Sequence, residues 1–318
     1  MKKIAIITRD CAGVNAAIRS VVRTACNHHI EVVGALREYD GLINGDFIPL
    51  DRGSVSGIIN QGGTILKTAR SQQFYTEAGQ KQAVQNIKKH GIEGVIVIGG
   101  DGSLRGAHVL ATQYCIPVVA IPATIDNDIE GVDLSIGADT AVNVALDALD
   151  KIRDTATSLE RIFIVEVMGR ESGYIALQVA LAGGCEEVIL PEKEVDLERM
   201  CAEITEGNSK GKSSWIIIVA EGRARAHDIA EVITQKTGFE TRVAVLGHIQ
   251  RGGRPTAVDR ILAARLGNYA VEMLRSGRTD VCVTVHSDGL DTVPLAKAIQ
   301  PKKICVDKDY TLIKVLTK

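Results

Sequence analysis

Aromatic residues are scarce in this chain of 318 residues, where Phe, Trp and Tyr together make up 3% and Trp occurs once. Proteins that hold single-stranded nucleic acid commonly stack its bases on aromatic side chains, so this mode of binding is not expected. The formal net charge is −2, which gives no overall basic field to attract nucleic acid or anionic lipid. Any site for an anion must therefore be built locally.

The cysteines lack a pattern. There are seven of them, so the number is odd, and no two are spaced as Cys-x-x-Cys. Zinc sites and disulfide frameworks are therefore not expected, and a reduced, intracellular chain is the simple interpretation. The apolar run after Lys3 is too short for a signal peptide or a membrane span. We expect a cytoplasmic protein.

Short apolar runs rich in Val and Ile alternate with longer helical patterns. The runs predicted to be strands are Ile4–Thr8, Glu31–Leu36, Val95–Ile98, Val118–Ile121, Ile162–Val167, Trp215–Ala220 and Thr241–Leu246. Helical patterns begin near Asn15 and cover Thr140–Arg153 and Arg260–Arg275. Several runs are apolar on both faces, as buried strands of a parallel sheet are. The sequence predicts an α/β protein with doubly wound domains, and its length favours two of them.

The turn Gly99-Gly100-Asp101-Gly102-Ser103 follows one of these strands directly. Glycines let backbone N–H groups approach a phosphate closely, and the start of a helix favours anions. An Asp in such a turn can hold Mg²⁺ directly or through water. The plainer alternative is a tight strand-to-helix turn in which Ser103 caps the helix.

A second polar cluster, Thr124-Ile125-Asp126-Asn127-Asp128, follows the strand Val118–Ile121. Open α/β sheets bind ligands at the carboxyl ends of their strands. A carboxylate here could accept a proton from an attacking hydroxyl group. A turn or a helix cap is the alternative.

Arginines stand near the ends of several predicted strands: Arg70, Arg161, Arg170, Arg242 and Arg251. The guanidinium group suits bidentate phosphate recognition and can stabilise a phosphoryl group during transfer. Taken singly, each would be interpreted as a solvated surface residue.

Taken together and in order, seven segments resemble the 6-phosphofructokinase family, and most closely its compact bacterial form. They are Asn15-Ala16-Ala17-Ile18-Arg19, Gly62-Gly63-Thr64, Gly99–Ser103, Thr124–Asp128, Met168-Gly169-Arg170, Ala182-Gly183-Gly184-Cys185-Glu186 and Gly247-His248-Ile249-Gln250-Arg251-Gly252-Gly253. The resemblance implies a kinase of glycolysis that transfers a phosphoryl group from ATP, with Mg²⁺, to fructose 6-phosphate. It also implies two doubly wound α/β domains.

The resemblance assigns roles to these residues. Asp126 would be the general base on the sugar 1-hydroxyl, with Thr124 and Asp128 shaping that site. Arg70 and Arg170 would stabilise charge on the moving phosphoryl group. The donor would lie on Gly99, Gly100, Gly102, Ser103 and Arg70, with Asp101 serving the metal. The sugar phosphate would lie on Arg161, Met168, Gly169, Glu221, Arg242, His248 and Arg251.

The family's architecture implies an oligomer and two domains. The counterparts of Arg161 and Arg242 reach the sugar-phosphate pocket of a neighbouring subunit, so a homotetramer with dihedral symmetry is expected. A larger nucleotide- and magnesium-binding domain would comprise residues 1–138 and about 251–301. A smaller sugar-phosphate-binding domain would comprise about 139–250 and 302–318.

Two positions bear on the phosphoryl donor. In the family, Gly at position 102 accompanies ATP, whereas Asp there accompanies pyrophosphate, because a carboxylate would repel the nucleotide's α-phosphate. The residue before Thr124 is Lys in pyrophosphate users, and here it is Ala123. Both positions favour ATP, and the pyrophosphate-dependent enzyme is the alternative.

A second anion site is implied by positions that bind effectors in the family. They correspond to Arg19, Arg23, Arg52, Arg153, Lys210 and Lys212, with Glu186 as a metal partner. ADP or phosphoenolpyruvate would be the effector. Ordinary surface charge is the alternative interpretation.

The first loop departs from the family pattern Thr-x-Gly-Gly-Asp-x-x-Gly-x-Asn. The segment Thr8–Asn15 lacks the Gly pair and carries Arg9. Arg9 could contact a donor phosphate in place of the lost backbone N–H groups. Alternatively, the donor site is damaged and the protein is a catalytically weakened relative that binds sugar phosphate, or two native loop residues are absent from this sequence.

Overall fold

The computed structural model describes residues 1–286 and 289–317; Ser287, Asp288 and Lys318, which fall within the predicted domain ranges, lie outside the described residues. In chain order the strands are β1 (Lys3–Thr8), β2 (Glu31–Ala35), β3 (Phe47–Leu50), β4 (Gly94–Gly99), β5 (Val118–Pro122), β6 (Ile162–Val167), β7 (Glu187–Ile189), β8 (Trp215–Ala220), β9 (Thr241–Val245), β10 (Val281–His286) and β11 (Gly289–Pro294).

The α-helices lie mostly between successive strands. They are α1 (Val14–Asn27), α2 (Tyr39–Asn44), α3 (Glu77–Lys89), α4 (Asp101–Tyr114), α5 (Ala138–Leu159), α6 (Tyr174–Ala182), α7 (Leu197–Ser209), α8 (Ala226–Thr237), α9 (Ala257–Arg275), α10 (Leu295–Ala298) and α11 (Asp307–Leu316). Short 3₁₀ helices cover Gln73–Tyr75 and Gly247–Arg251. Within the described part of the chain, no helix is long and apolar enough to cross a membrane.

The chain divides into two compact units, Met1–Thr140 with Arg251–Lys302, and Ala141–Gln250 with Lys303–Lys318. Over the described residues, the first unit contains a seven-stranded sheet in the order β11-β10-β5-β4-β1-β2-β3. Its inner neighbours are parallel, whereas β3 and β11 pair antiparallel at the edges. Ala5, Ile7, Val95, Val97 and Leu104 are among the fully buried side chains of its core.

The second unit contains a sheet in the order β7-β8-β6-β9. Each neighbouring pair is parallel, and Ile162 and Val167 at the two ends of β6 align with Trp215 and Ala220 of β8. Ile164, Ile217 and Val219 bury their side chains between this sheet and its helices. Both sheets confirm the predicted α/β class with largely parallel strands.

The sequence did not predict β10, whose residues 281–284 are buried, or the less regular strands β3, β7 and β11. The strand β3 contains Pro49, which cannot donate to a ladder and is tolerated at a sheet edge. The strand β7 has three residues, and β11 is largely exposed, so neither forms an apolar run. Conversely, the buried strands β6 and β8 have the bounds that their Val and Ile runs predicted.

Candidate active site

The turn after β4 begins the candidate site of the first unit. The strand ends at Gly99 and α4 begins at Asp101. A Cβ atom on Gly99 would lie 2.5 Å from Ser103 Oγ and 3.1 Å from Arg9 Cγ, so this position requires glycine. A Cβ atom on Gly102 would meet nothing within 4 Å, and the fold therefore does not require glycine there.

Ser103 does not cap α4, which corrects the plainer interpretation of this turn. The cap position is Gly100, and no side chain caps the helix. The Ser103 hydroxyl instead donates to Glu38 Oε1 in a short hydrogen bond, and the Tyr39 hydroxyl donates to the Ser103 carbonyl oxygen at 2.5 Å. The turn Gly99–Ser103, named the donor turn for its predicted role, is therefore held by Glu38 and by Tyr39, the first residue of α2.

The loop after β5 carries the predicted base. Asp126 is 3% exposed, and its backbone N–H donates to Thr124 Oγ1 at 3.2 Å. The Ser135 hydroxyl donates to the Thr124 carbonyl at 2.7 Å, and the Asn127 side-chain oxygen accepts from the Ser135 N–H at 3.0 Å. Asn127 has φ 49°, in the left-handed region that Asn tolerates better than most residues. These bonds fix the loop that contains Asp126 and Asp128.

A lysine from the far end of the first unit also holds this loop. Lys302 Nζ donates to the carbonyl oxygens of Asn127 at 2.9 Å and Val132 at 2.7 Å. Burial lowers the pKa of Lys302, while the charges of Asp133, Asp128 and Glu130 oppose that shift. No local pattern around residue 302 indicates this role.

The donor turn and the Asp126 loop are neighbours. A Cβ atom on Gly100 would lie 3.3 Å from Thr124 Cβ, and the Ala123 N–H donates to the Gly99 carbonyl at 2.9 Å. The two motifs predicted from separate strands therefore meet at the carboxyl edge of one sheet.

Asp101 is the residue predicted to serve a metal. It lies in the first turn of α4, half-exposed, and pairs with Arg105 at 3.0 Å. No group of three or more His, Cys, Asp or Glu residues within the described ranges could form a closed metal cage. Mg²⁺ commonly keeps several waters and uses one or two carboxylates together with substrate phosphates, so a single half-exposed carboxylate such as Asp101 fits an ion brought with a nucleotide.

The arginines of the first unit occupy different settings. Arg70 follows an irregular segment and its side chain is exposed. Arg251 Nη2 donates to the Asp10 carbonyl at 2.9 Å, so it contacts the shortened first loop. Arg9, also in that loop, donates through Nη1 to Glu38 Oε2 at 3.1 Å and to the Ala69 carbonyl at 3.0 Å. Glu38 was not predicted to have a role.

In the second unit, Glu221 organises the turn after β6. Its Oε1 accepts from the backbone N–H groups of Gly169 at 3.2 Å and Arg170 at 3.1 Å. A Cβ atom on Gly222 would lie 1.6 Å from the Arg170 carbonyl oxygen, so the chain that follows β8 lies directly against this turn. The Met168 N–H donates to Gln250 Oε1 at 3.4 Å, in the short helix that also contains His248.

Arg161 and Arg242 lie at the opposite edge of the same sheet. Arg161 precedes β6 and Arg242 is the second residue of β9, so both are at the amino ends of their strands. Each guanidinium pairs with Glu240, with Arg161 Nε 2.9 Å from Glu240 Oε2. Within this chain, the two arginines therefore lie at the opposite ends of the strands from Met168, Gly169 and Glu221.

The predicted effector residues fall into groups within each unit. In the first unit, Arg19 and Arg23 are one turn apart on α1, and Arg52 follows β3 with an exposed side chain. In the second, Lys212 pairs with Glu186 at 3.1 Å and lies 4.5 Å from the Trp215 ring centroid. Arg153 donates to the carbonyl oxygens of Gly183 and Gly184 at the end of α6, and Lys210 pairs with Glu206.

Burial perturbs two carboxyl groups of the first unit. It raises the pKa of Glu38, although the Ser103 hydroxyl and the Arg9 guanidinium lower it in part. It also raises the pKa of Asp259, against the opposing hydrogen bonds from Thr140 and Gly137. Asp259 Oδ1 accepts from the Gly137 N–H at 2.8 Å, and Oδ2 accepts from the Thr140 N–H at 2.8 Å.

Asn15 connects the segment that it begins, Asn15–Arg19, to the segment Gly62-Gly63-Thr64. Its amide nitrogen donates to the carbonyls of Gln61 at 3.2 Å and Gly62 at 3.1 Å, and its oxygen accepts from the Ile65 N–H at 2.9 Å. A Cβ atom on Gly62 would lie 2.4 Å from the Gly253 carbonyl oxygen. Both features hold backbone in place, which is a structural role.

Known proteins resemble the chain over its whole length. A family model described as Phosphofructokinase matches residues 3–274. The proteins named ATP-dependent 6-phosphofructokinase from Thermotoga petrophila and Bacillus subtilis are 50% and 48% identical to it, over 100% of both chains in each case. A solved phosphofructokinase from Saccharomyces cerevisiae gives a TM-score of 0.88 at 32% identity, covering 100% of this chain and 47% of the yeast chain.

Proposed function

The chain belongs to the phosphofructokinase family, and we propose that it transfers a phosphoryl group from ATP to the 1-hydroxyl of fructose 6-phosphate, giving fructose 1,6-bisphosphate. This is a kinase reaction of glycolysis, and the full-length relatives at about half identity support it. The family and the α/β fold predicted from the sequence are confirmed. The roles of individual residues remain part of the proposal.

One observation supports ATP as the phosphoryl donor. A side chain at Gly102 would enter open space beside the first turn of α4, so neither packing nor backbone conformation explains glycine at this position. Room for a nucleotide phosphate does explain it, since an Asp here would place a negative charge in that space. Ala123 is buried and brings no cation, which also favours ATP over pyrophosphate.

The chemistry needs a base and charge stabilisation. As the sugar O1 attacks the γ-phosphorus, the O1–P bond forms, the bond from phosphorus to the bridging oxygen of ADP breaks, and Asp126 accepts the hydroxyl proton. Arg70 stabilises the negative charge of the moving group, and we assign the same role to Arg170. Thr124 and Asp128 shape the loop around the base.

Asp101 is the residue that would hold Mg²⁺, and the ion would neutralise phosphate charge. Gly99, Gly100, Gly102 and Ser103 would bind the donor through the start of α4, where backbone N–H groups favour anions. The first unit would thus be the nucleotide-binding domain.

The second unit would bind the sugar phosphate. We assign sugar-phosphate binding to Met168, Gly169, Glu221, His248 and Arg251. The position of Arg161 and Arg242 at the opposite edge of their sheet supports the proposal that they serve a neighbouring subunit of a homotetramer.

Subunit mixing tests the shared site. Arg161→Ser and Asp126→Asn proteins are each expected to be nearly inactive. If Arg161 acts on a neighbour, unfolding and refolding them together yields hybrid tetramers with some intact sites, and activity returns. Activity that stays at the sum of the separate variants would exclude a role in a neighbouring subunit.

We also propose that Arg19, Arg23, Arg52, Arg153, Lys210, Lys212 and Glu186 bind ADP or phosphoenolpyruvate as an effector. The pairing of Lys212 with Glu186 supports the part of this site that lies in the second unit. The saturation curve for fructose 6-phosphate should shift when either compound is added, and an unmoved curve would exclude this site.

The donor is tested by assaying the purified protein with Mg²⁺ and fructose 6-phosphate, with ATP or pyrophosphate added separately. Product formation is coupled to NADH oxidation. Turnover with ATP alone is expected. Turnover with pyrophosphate alone would overturn the interpretation of Gly102, and no turnover with either donor would overturn the assigned activity. We place this activity in the cytoplasm, where the scattered cysteines would stay reduced.

A further inference from the structure

The pair formed by Arg9 and Glu38 joins three segments of the first unit. Arg9 Nη1 donates both to Glu38 Oε2 at 3.1 Å and to the Ala69 carbonyl at 3.0 Å. The other oxygen of Glu38 accepts from the Ser103 hydroxyl. Ala69 immediately precedes Arg70, and Ser103 belongs to the donor turn. One ion pair therefore connects the first loop, the segment that carries Arg70 and the start of α4.

Glu38 has a strained backbone conformation. Glu38 has φ 60° and ψ −127°, angles that type II′ turns normally assign to glycine. A side chain with a Cβ atom is strained there, and such strain persists where the surroundings hold the residue, often at functional sites. Glu38 is also 4% exposed, so its charge is buried and compensated by Arg9 and Ser103.

We propose that Arg9 and Glu38 are positioning residues that hold Arg70 and the donor turn in register for phosphoryl transfer. The inference rests on the proposed function. It gives Arg9 a role other than phosphate contact, because its Nη1 already donates to Glu38 and to the backbone next to Arg70. The shortened first loop then holds the site in place through the side chain of Arg9.

Phosphoryl transfer depends strongly on alignment, and a displacement of about 1 Å can cost about 100-fold in rate. Losing the pair should therefore lower kcat more than it raises either KM. A direct phosphate ligand predicts the reverse, because its loss would mainly raise the KM for ATP. The Glu38 variant distinguishes the two cases. If Arg9 binds a phosphate, Glu38 competes with that phosphate for Arg9. If Arg9 positions the site, Glu38 supports it.

The experiment measures kcat and both KM values for Arg9→Met, Arg9→Lys, Glu38→Gln and the double variant Arg9→Met/Glu38→Gln. We expect kcat to fall about tenfold or more in Arg9→Met and Glu38→Gln, with the double variant close to the worse single one because the pair acts as a unit. Arg9→Lys, which keeps the charge, should recover part of kcat. A raised KM for ATP in Arg9→Met, with an unchanged or lower one in Glu38→Gln, would overturn the proposal and make Arg9 a phosphate ligand.

Glu38→Gly separates positioning from simple folding. Glycine relieves the backbone strain, so the melting temperature should not fall below that of Glu38→Gln, whereas kcat should still fall. Arg37→Gly is the matched control: Arg37 also has positive φ and pairs with Asp46 at 3.9 Å, and kcat should not change. A Glu38→Gly protein with wild-type kcat overturns the inference. If the wild-type protein itself does not turn over, the proposed function fails first, and the two failures are thus distinguishable.

Discussion

The two units hold their candidate site loops in different ways. In the first unit, the Asp126 loop is bound by Ser135 and by Lys302 from the far end of the sequence. In the second, the turn at Gly169 and Arg170 is held by Glu221, which follows the neighbouring strand β8. The Asp126 loop therefore combines a local support, Ser135, which is 11 residues from Thr124, with a remote one, whereas the turn at Gly169 depends on Glu221, which is 52 residues away in the chain.

The largest expected effect tests the base of the first unit. Asp126→Asn removes the proton acceptor while keeping the size of the side chain, so kcat should fall on the order of 10²–10⁴-fold. Binding of fructose 6-phosphate, measured by calorimetry, should survive. Near-normal turnover would show that Asp126 is not the base.

Two glycines of one turn should respond in opposite ways. Gly102→Asp places a carboxylate in open space, so the melting temperature should hold while kcat/KM for ATP falls by about 100-fold through charge repulsion at close range. Gly99→Ala instead pushes a Cβ atom against Ser103, so it should destabilise the fold by about 1–3 kcal/mol. Thermal unfolding and ATP kinetics of both proteins check this, and a destabilised Gly102→Asp protein would contradict the packing argument.

A change in the second unit should affect the sugar rather than the nucleotide. Glu221→Ala removes the acceptor of two backbone N–H groups, worth about 1–1.5 kcal/mol each. We therefore expect the KM for fructose 6-phosphate to rise about tenfold or more, while that for ATP stays within about twofold. Glu198→Ala is the matched control, because it removes an exposed carboxylate of the same unit that pairs with Lys236 and leaves the turn at Gly169 intact. Equal increases in both KM values would indicate general damage instead.

The smallest expected effect concerns the relative stability of the two units against urea. Burial raises the pKa of Cys185 in the second unit to about 12, and it also raises those of Cys11 and Cys282 in the first. These thiols should resist maleimide in the native protein, whereas the exposed Cys115 and Cys305 should react. Because the second unit is smaller, Cys185 should become reactive at a lower urea concentration than Cys11. Mass spectrometry of labelled peptides checks the order.

The sequence was sufficient for features that depend on neighbours in the chain. The strands Ile162–Val167 and Trp215–Ala220 were predicted because buried parallel strands are apolar throughout, and the acids after β5 were found because they follow such a strand. Glu38 and Lys302 were missed because their partners lie far away: Lys302 binds the Asn127 carbonyl, and Glu38 binds Ser103. Asp259 carried a partial signal, the spacing from Thr256 typical of a helix start, but its bonds to Gly137 and Thr140 could not be foreseen.

The open space at Gly102 also has an evolutionary consequence. Glycine and aspartate codons differ by one base, and this position places no packing demand on the residue. A single point mutation could therefore change the residue at position 102 without first passing through an unfolded or unstable ancestor. Under the proposed role of Gly102, donor preference would be set by a residue that the packing of the core does not constrain.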